Sequence, residues 1–201
     1  MTAVIDYDAG NVKSVVKAFQ ALGEEAELTR EPGKILSADR VVLPGVGNFG
    51  ESMARLTSYG LEPVIREVIG REIPFLGICV GLQLLFEGSE ESPDAAGLGV
   101  FRGRCVRFSD KPGMKIPQIG WNSLSFKGES RLYKGIEEGA FVYFVHSYYA
   151  LPEEHITTAS CSYADEACAS VERGNVFATQ FHPEKSGRIG LKLLENFISI
   201  R

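Results

Sequence analysis

Neither a membrane-length apolar run nor a Cys-x-x-Cys pair occurs in this sequence of 201 residues. The first absence argues against insertion into a bilayer. The second leaves Cys79, Cys105, Cys161 and Cys168 without metal-binding or dithiol spacing, so no metal site is implied. In a reducing compartment Cys105, Cys161 and Cys168 are expected to be plain thiols in or near strands. Basic residues never gather into a block, and the net charge is only −5; the electrostatic footprint of a nucleic-acid binder is missing. The opening Met1-Thr-Ala-Val-Ile-Asp6 lacks a basic region followed by a long apolar segment. It reads as a first strand rather than a signal peptide, and a cytoplasmic protein is expected. No repeat, low-complexity tract or linker interrupts the chain.

What is present is ordinary globular composition, 44% hydrophobic and 23% charged. That length and composition fit one domain over 1–201, large enough to bury a core without disulfides or metals. Short apolar runs at 3–5 and 40–43 end at glycine or proline turns, as strands buried on both faces do. Between them Val12, Val15, Val16, Phe19 and Leu22 recur at helical spacing, and Gly23 supplies a stop. A second helical stretch covers about 61–70, a strand 73–78, and a helix follows through Leu82–Phe86. From 99 onward the texture is strand-rich, with segments near 99–108, 117–126, 140–146, 156–163, 167–172 and 176–181, a loop at 92–97, and a closing helix near 187–199. This alternation predicts an α/β fold: a doubly wound, mostly parallel sheet flanked by helices, with antiparallel edge strands.

Gly77-Ile-Cys-Val-Gly81 follows directly on the apolar run Ile73–Leu76, so Cys79 is placed where a buried strand turns sharply into a helix. A nucleophile is displayed in such an elbow, with flanking glycines admitting the turn and the next backbone N–H available to a reacting oxygen. Most unpaired cysteines are simply small buried hydrophobes. Near the other end, Ala178-Thr-Gln-Phe-His-Pro-Glu184 sets an imidazole and a carboxylate two positions apart. A thiol needs a base, and the base needs a partner to fix its tautomer; His182 and Glu184 fit those roles. Singly, His182 reads as a loop histidine and Glu184 as an acidic residue near the last helix.

Together, Gly77-Ile-Cys79-Val-Gly81-Leu-Gln83 and Phe181-His-Pro-Glu184 resemble the class I (triad) glutamine amidotransferases. Further segments resemble, within that class, the glutaminase subunits of imidazole glycerol phosphate synthases: Asp6-Tyr-Asp-Ala-Gly-Asn11, Leu43-Pro-Gly-Val-Gly-Asn-Phe-Gly50, Pro117-Gln-Ile-Gly-Trp-Asn122, Tyr143-Phe-Val-His-Ser-Tyr148 and His182-Pro-Glu-Lys-Ser186. The resemblance spans nearly the whole chain.

It implies a Cys79 nucleophile, His182 as acid and base, and Glu184 as the orienting carboxylate, with glutamine as substrate. The helix start and the imidazole both favour a thiolate. Val80 N–H is one candidate oxyanion donor, and by resemblance Val46 and Gly47 form the oxyanion strand. The same resemblance surrounds glutamine with Gln83, Glu91, Tyr143, His146, Ser147 and Tyr148. No cofactor is required for the glutaminase step. A partner is implied, since free ammonia would be protonated and lost, and the resemblance makes it a separate (β/α)8 cyclase/synthase subunit that docks near Asn11, Asn48, Trp121 and Lys185. A solvated lysine and a core tryptophan are the plain alternatives. Rival readings are a glutaminase serving anthranilate, guanylate, carbamoyl phosphate or pyridoxal phosphate synthesis, a free γ-glutamyl hydrolase, and a non-catalytic regulatory module.

Overall fold

The computed structural model describes residues 1–9 and 12–201. In the first half strands and helices alternate: β1 (Thr2–Ile5), α1 (Lys13–Ala21), β2 (Ala26–Thr29), α2 (Pro32–Leu36), β3 (Arg40–Gly45), α3 (Phe49–Ser58), α4 (Leu61–Gly70), β4 (Phe75–Cys79) and the single turn α5 (Val80–Gln83). The second half contains β5 (Gly88–Ser89), β6 (Gly103–Arg107), β7 (Gln118–Ser123), β8 (Ser125–Phe126), β9 (Phe141–His146), β10 (Tyr148–Pro152), β11 (Thr157–Ser162), β12 (Glu166–Arg173), β13 (Val176–Thr179) and the closing α6 (Gly187–Ile198).

Eight strands form the main sheet in the order β2-β1-β3-β4-β13-β12-β11-β8. The first five are parallel, and β12, β11 and β8 add antiparallel pairs at one edge. This matches the expected doubly wound architecture. Right-handed crossovers require it to carry helices on both faces, because the chain steps from β1 to β2 in one direction and from β3 to β4 in the other. On one face α1 meets α6, with Phe19 edge-on to Phe197 at 6.4 Å and Phe197 on Phe177 of β13 at 6.0 Å. On the other, α4 packs against α2 and α3. Every residue of β1, β4 and β13 is buried, which is why these strands read as continuous apolar runs.

Several expectations need correction. The segment expected as one strand over 99–108 is extended only at Gly103–Arg107, and 117–126 divides into β7 and β8. Not all late strands join the main sheet: β7 pairs with β9 alone, and β10, β6 and β5 make a third small sheet. Not anticipated are β2, α2, α3 and β10. In α3 the buried Phe49, Ser52, Met53 and Leu56 carry helical spacing, and Asn48 caps its start by accepting Glu51 N–H at 3.1 Å. The helix after Cys79 stops at Gln83 instead of reaching Phe86. Its next carbonyls are taken by a returning loop: Leu98 N–H donates to Leu84 O at 2.8 Å, Val100 to Leu85 O at 2.8 Å, and Gly99 to Phe86 O at 3.1 Å.

Three glycines let α5 sit against the strands. A Cβ on Gly81 would lie 1.9 Å from Leu43 O, one on Gly45 would lie 2.7 Å from Gly81 N, and one on Gly77 would lie 2.8 Å from Gly81 O. The Gly-x-Cys-x-Gly pattern is therefore a close-packing requirement. We expect Gly81→Ala to lose about 1–3 kcal/mol of stability in urea unfolding through overpacking. Gly70→Ala, with nothing within 4 Å of the added methyl, should instead gain about 0.4–1 kcal/mol.

Candidate active site

Parallel register decides which residues meet. Gly45 of β3 lies opposite Cys79 of β4, and Thr179 of β13 lies opposite Ile78. The three chains thus leave the sheet side by side at its C-terminal edge, where sites of open α/β sheets form. Val46 and Gly47 emerge from β3, Cys79 from β4, and Gln180, Phe181 and His182 from β13. Cys79 itself takes the turn, with φ +56° and ψ −110°, whereas Gly77 and Gly81 keep negative φ angles. The flanking glycines admit the turn through the space they leave, while the cysteine itself carries the unusual backbone.

His182 is held from several sides. Its Nδ1 lies 2.8 Å from Glu184 Oε1, its N–H donates to Tyr143 O at 3.0 Å, and its carbonyl accepts the Ser186 hydroxyl at 2.7 Å. Ser186 Oγ also accepts Tyr143 N–H at 3.0 Å, tying this turn to β9. Close packing is again needed, since a Cβ on Gly190 would fall 1.8 Å from Pro183 O. The side chains of His182 and Glu184 are only 2% and 3% exposed. His182 Nε2 has no hydrogen-bond partner among the described residues. Burial pushes the imidazole down, but the Cys79 thiol and the Glu184 carboxylate outweigh it and raise its pKa from 6.5 to about 9.

The other buried imidazole behaves oppositely. Burial lowers the His146 pKa to about 4, against the opposing pull of the Tyr148 carbonyl. Its Nδ1 lies 2.9 Å from Tyr148 O and its Nε2 3.1 Å from the Gln118 side-chain amide. The Gln118 atom facing Nε2 is Oε1, and a neutral ring can donate to only one of these two oxygens.

A cleft of about 360 Å³ opens at this edge, within the range of small-ligand sites. It is lined by Cys79, His182, Val46, Gly47 and Val80, and by Gln83, Glu91, His146, Ser147 and Tyr148 among the expected substrate residues. Tyr143 is a correction: it does not line the cleft. Its ring faces Trp121 across the β7–β9 pair at 6.1 Å, and its backbone holds His182. The Val46–Gly47 segment lies between two anchors. The Tyr7 hydroxyl donates to Pro44 O at 2.7 Å, and Phe49 N–H donates to Glu91 Oε2 at 2.7 Å. Gly47 has φ +95° and open space around it.

Of the residues expected at a docking face, Asn11 lies outside the described residues. Asn48 and Lys185 are half-buried and follow β3 and β13 at the same sheet edge as the cleft. Trp121 is 56% exposed and so is not a core residue. Four residues were not foreseen. Pro117 and Val145 line the cleft. Ile119 and Phe141, 64% and 58% exposed, share the Trp121 face of the β7–β9 pair. Strand alternation places 119 with 121, and 141 with 143, but the pairing that joins them is not local in sequence. Among the described residues no group of three or more His, Cys, Asp or Glu could hold a metal ion, and no helix is long and apolar enough to cross a membrane.

A doubly wound sheet with a cysteine elbow beside a His–Glu pair defines a class. The chain belongs to the glutamine amidotransferase class-I family, whose model matches residues 3–200. More particularly, it is 51% identical to the imidazole glycerol phosphate synthase subunit HisH of Thermococcus kodakarensis, with 98% of each chain covered. It is 47% identical to that of Thermosynechococcus vestitus, covering 98% of this chain and 96% of the relative. Among solved structures, PurLQS from Thermotoga maritima superposes with a TM-score of 0.77 at 20% identity, over 98% of this chain and 96% of the other, a likeness of fold.

The two buried histidines make opposite predictions. Between pH 6.5 and about 9 the folded state holds a proton on His182 that the unfolded chain releases, so this contribution to stability is full below 6.5 and is lost as pH rises. Between about 4 and 6.5 the unfolded chain protonates where folded His146 does not, so stability falls as pH falls. Ring NMR titration should find one histidine midpoint well above and one well below 6.5. The Cys79→Ala substitution should lower the upper one; an unmoved midpoint would mean that the thiol does not act on His182.

Proposed function

We propose that the protein, as a single domain over 1–201, is the glutamine-hydrolysing subunit of an imidazole glycerol phosphate synthase in histidine biosynthesis. The observation that carries this reading is the convergence of Cys79 and the His182–Glu184 pair on one cleft at the ends of adjacent parallel strands, in a chain half identical to HisH relatives. The Cys79 thiol passes its proton to His182, and its sulfur attacks the side-chain carboxamide carbon of glutamine. The resulting oxyanion is met by backbone N–H groups of Val80 and the Val46–Gly47 segment, each donor worth ~10²–10³ in rate. His182 gives a proton to the nitrogen as the C–N bond breaks, releasing ammonia and leaving a γ-glutamyl thioester. Water, deprotonated by His182, then attacks the thioester carbon and releases glutamate and the thiol. Glu184 holds Nδ1 throughout and balances the imidazolium. Gln83, Glu91, Ser147 and Tyr148 shape the site for glutamine, with neutral His146 fixing the wall behind them.

Ammonia passes to a (β/α)8 cyclase/synthase subunit, and the two form a cytoplasmic heterodimer. Support for the docking side comes from the exposed Ile119, Trp121 and Phe141 beside the cleft, an apolar cluster of the kind that interfaces cover. Asn48 and Lys185 stand at the same sheet edge as the cleft. The free Gly47 between two anchored points suits a loop whose oxyanion-binding form is selected when the partner binds.

Cys79→Ala should fold normally and hydrolyse no glutamine, while its complex with the synthase subunit still makes product from added ammonium. Retained glutamine turnover would move the nucleophile elsewhere, and failure with ammonium would question the pathway. Trp121→Ala should weaken that complex about tenfold or more in titration calorimetry, with the isolated subunit's own glutamine turnover unchanged. An unaltered affinity would place the interface on another face.

A further inference from the structure

Gln180 is fully buried, although it follows directly on the apolar strand β13. A buried amide at such a position must be satisfied by specific partners. Its backbone N–H donates to Ala169 O at 2.8 Å. Its side chain bridges two residues of the cleft: Nε2 lies 3.7 Å from Cys79 Sγ, and Oε1 lies 3.1 Å from Gln83 Nε2. Amide nitrogen and oxygen are not distinguished by shape, so their assignment has to come from the network. Here the network fixes it. Gln83 Nε2 also lies 2.9 Å from the backbone carbonyl of Tyr148, which can only accept. Gln83 therefore presents its NH₂ group, the Gln180 atom facing it must be oxygen, and the Gln180 NH₂ must point at sulfur.

A hydrogen bond from an amide N–H to sulfur stabilises the anion more than the thiol, because charge-assisted bonds are about twice as strong as neutral ones. The helix dipole, the other expected source of this effect, is weak: α5 is a single turn. The opposing contact is Val145 O, 3.9 Å from Sγ, which accepts from the protonated thiol. The sulfur thus has one partner that suits each of its protonation states.

The geometry points to Gln180 as a positioning residue for Cys79: its NH₂ orients the sulfur and favours the thiolate, and the Tyr148 O–Gln83–Gln180 chain holds that NH₂ in place from the cleft wall. This rests on the reading of Cys79 as the nucleophile. It assigns the role to a residue outside the Cys79–His182–Glu184 set, one that does not itself line the cleft.

The test is the pH dependence of Cys79 alkylation by iodoacetamide, followed by mass spectrometry on the full chain. Cys161 and Cys168 serve as internal references, because burial pushes their thiols up to about 12 and about 11. In Gln180→Glu, which keeps the shape and turns an acceptor toward sulfur, alkylation at pH 7 should slow roughly tenfold or more, the strength of a hydrogen bond to a charged group. Its profile should move to higher pH, and kcat for glutamine should fall with KM nearly constant. Gln180→Met keeps the volume and removes the donor, and should give a smaller shift in the same direction. An unshifted profile in a folded variant would overturn the role while leaving Cys79 as nucleophile; a Cys79 that resists alkylation in the unmodified protein would instead overturn the nucleophile itself. Should both variants fail to fold, the unmodified protein decides. The side-chain amide protons of Gln180 should shift in NMR with the same midpoint as the alkylation profile, and a resonance that ignores that midpoint would refute the contact.

Discussion

The level ends of three parallel strands are the constraint on which the site depends. β3 and β13 flank β4 in register, so the segments beginning at residues 46 and 180 each leave the sheet one strand spacing from the one beginning at 79. A shift of one residue in any of these registers would turn the site's side chains to the opposite face. Register is secured by burial on both faces of the strands and by the glycine contacts at 45, 77 and 81, which leave no room for a slipped α5. The same constraint explains the cost of crowding the turn around His182, where Gly190 lets α6 approach Pro183.

Charge is arranged around this frame by burial and partners together. His182 and His146 are both buried, yet one is drawn toward the cation by a thiol and a carboxylate that outweigh its burial, and the other is kept neutral by burial that its one carbonyl partner does not offset. The contrast fits the proposed proton carrier at 182 and a neutral wall at 146. It also separates them functionally in a way that histidine counting could not, since only the local partners differ.

Much of this was legible in the sequence. The buried parallel strands announced themselves as apolar runs, and Cys79, His182 and Glu184 stood in short contiguous motifs whose chemistry is local. What stayed hidden depends on contacts between distant residues. The early end of α5 requires the loop at 97–101 to capture the carbonyls of Leu84, Leu85 and Phe86. The cleft residues Pro117 and Val145, and the exposed Ile119 and Phe141, acquire their roles only when β7 pairs with β9. Tyr143 looked like a substrate contact because it shares a segment with His146, but strand pairing turns its ring toward Trp121. Gln180 did leave a trace, a lone amide between Thr179 and Phe181 at the end of a buried strand.

Three residues other than glycine have positive φ among those described: Asp8, Glu72 and Cys79. The first two are exposed turn residues, where the conformation is commonplace. Cys79 is buried at a strand end, and its backbone geometry costs of order 1–3 kcal/mol that glycine would not incur. For the backbone alone, a hydrogen in place of the whole side chain would be the less costly choice at this position. A side chain held at a backbone cost at the mouth of the cleft is what the proposed nucleophile requires, so chemistry and conformational economy pull in opposite directions at residue 79.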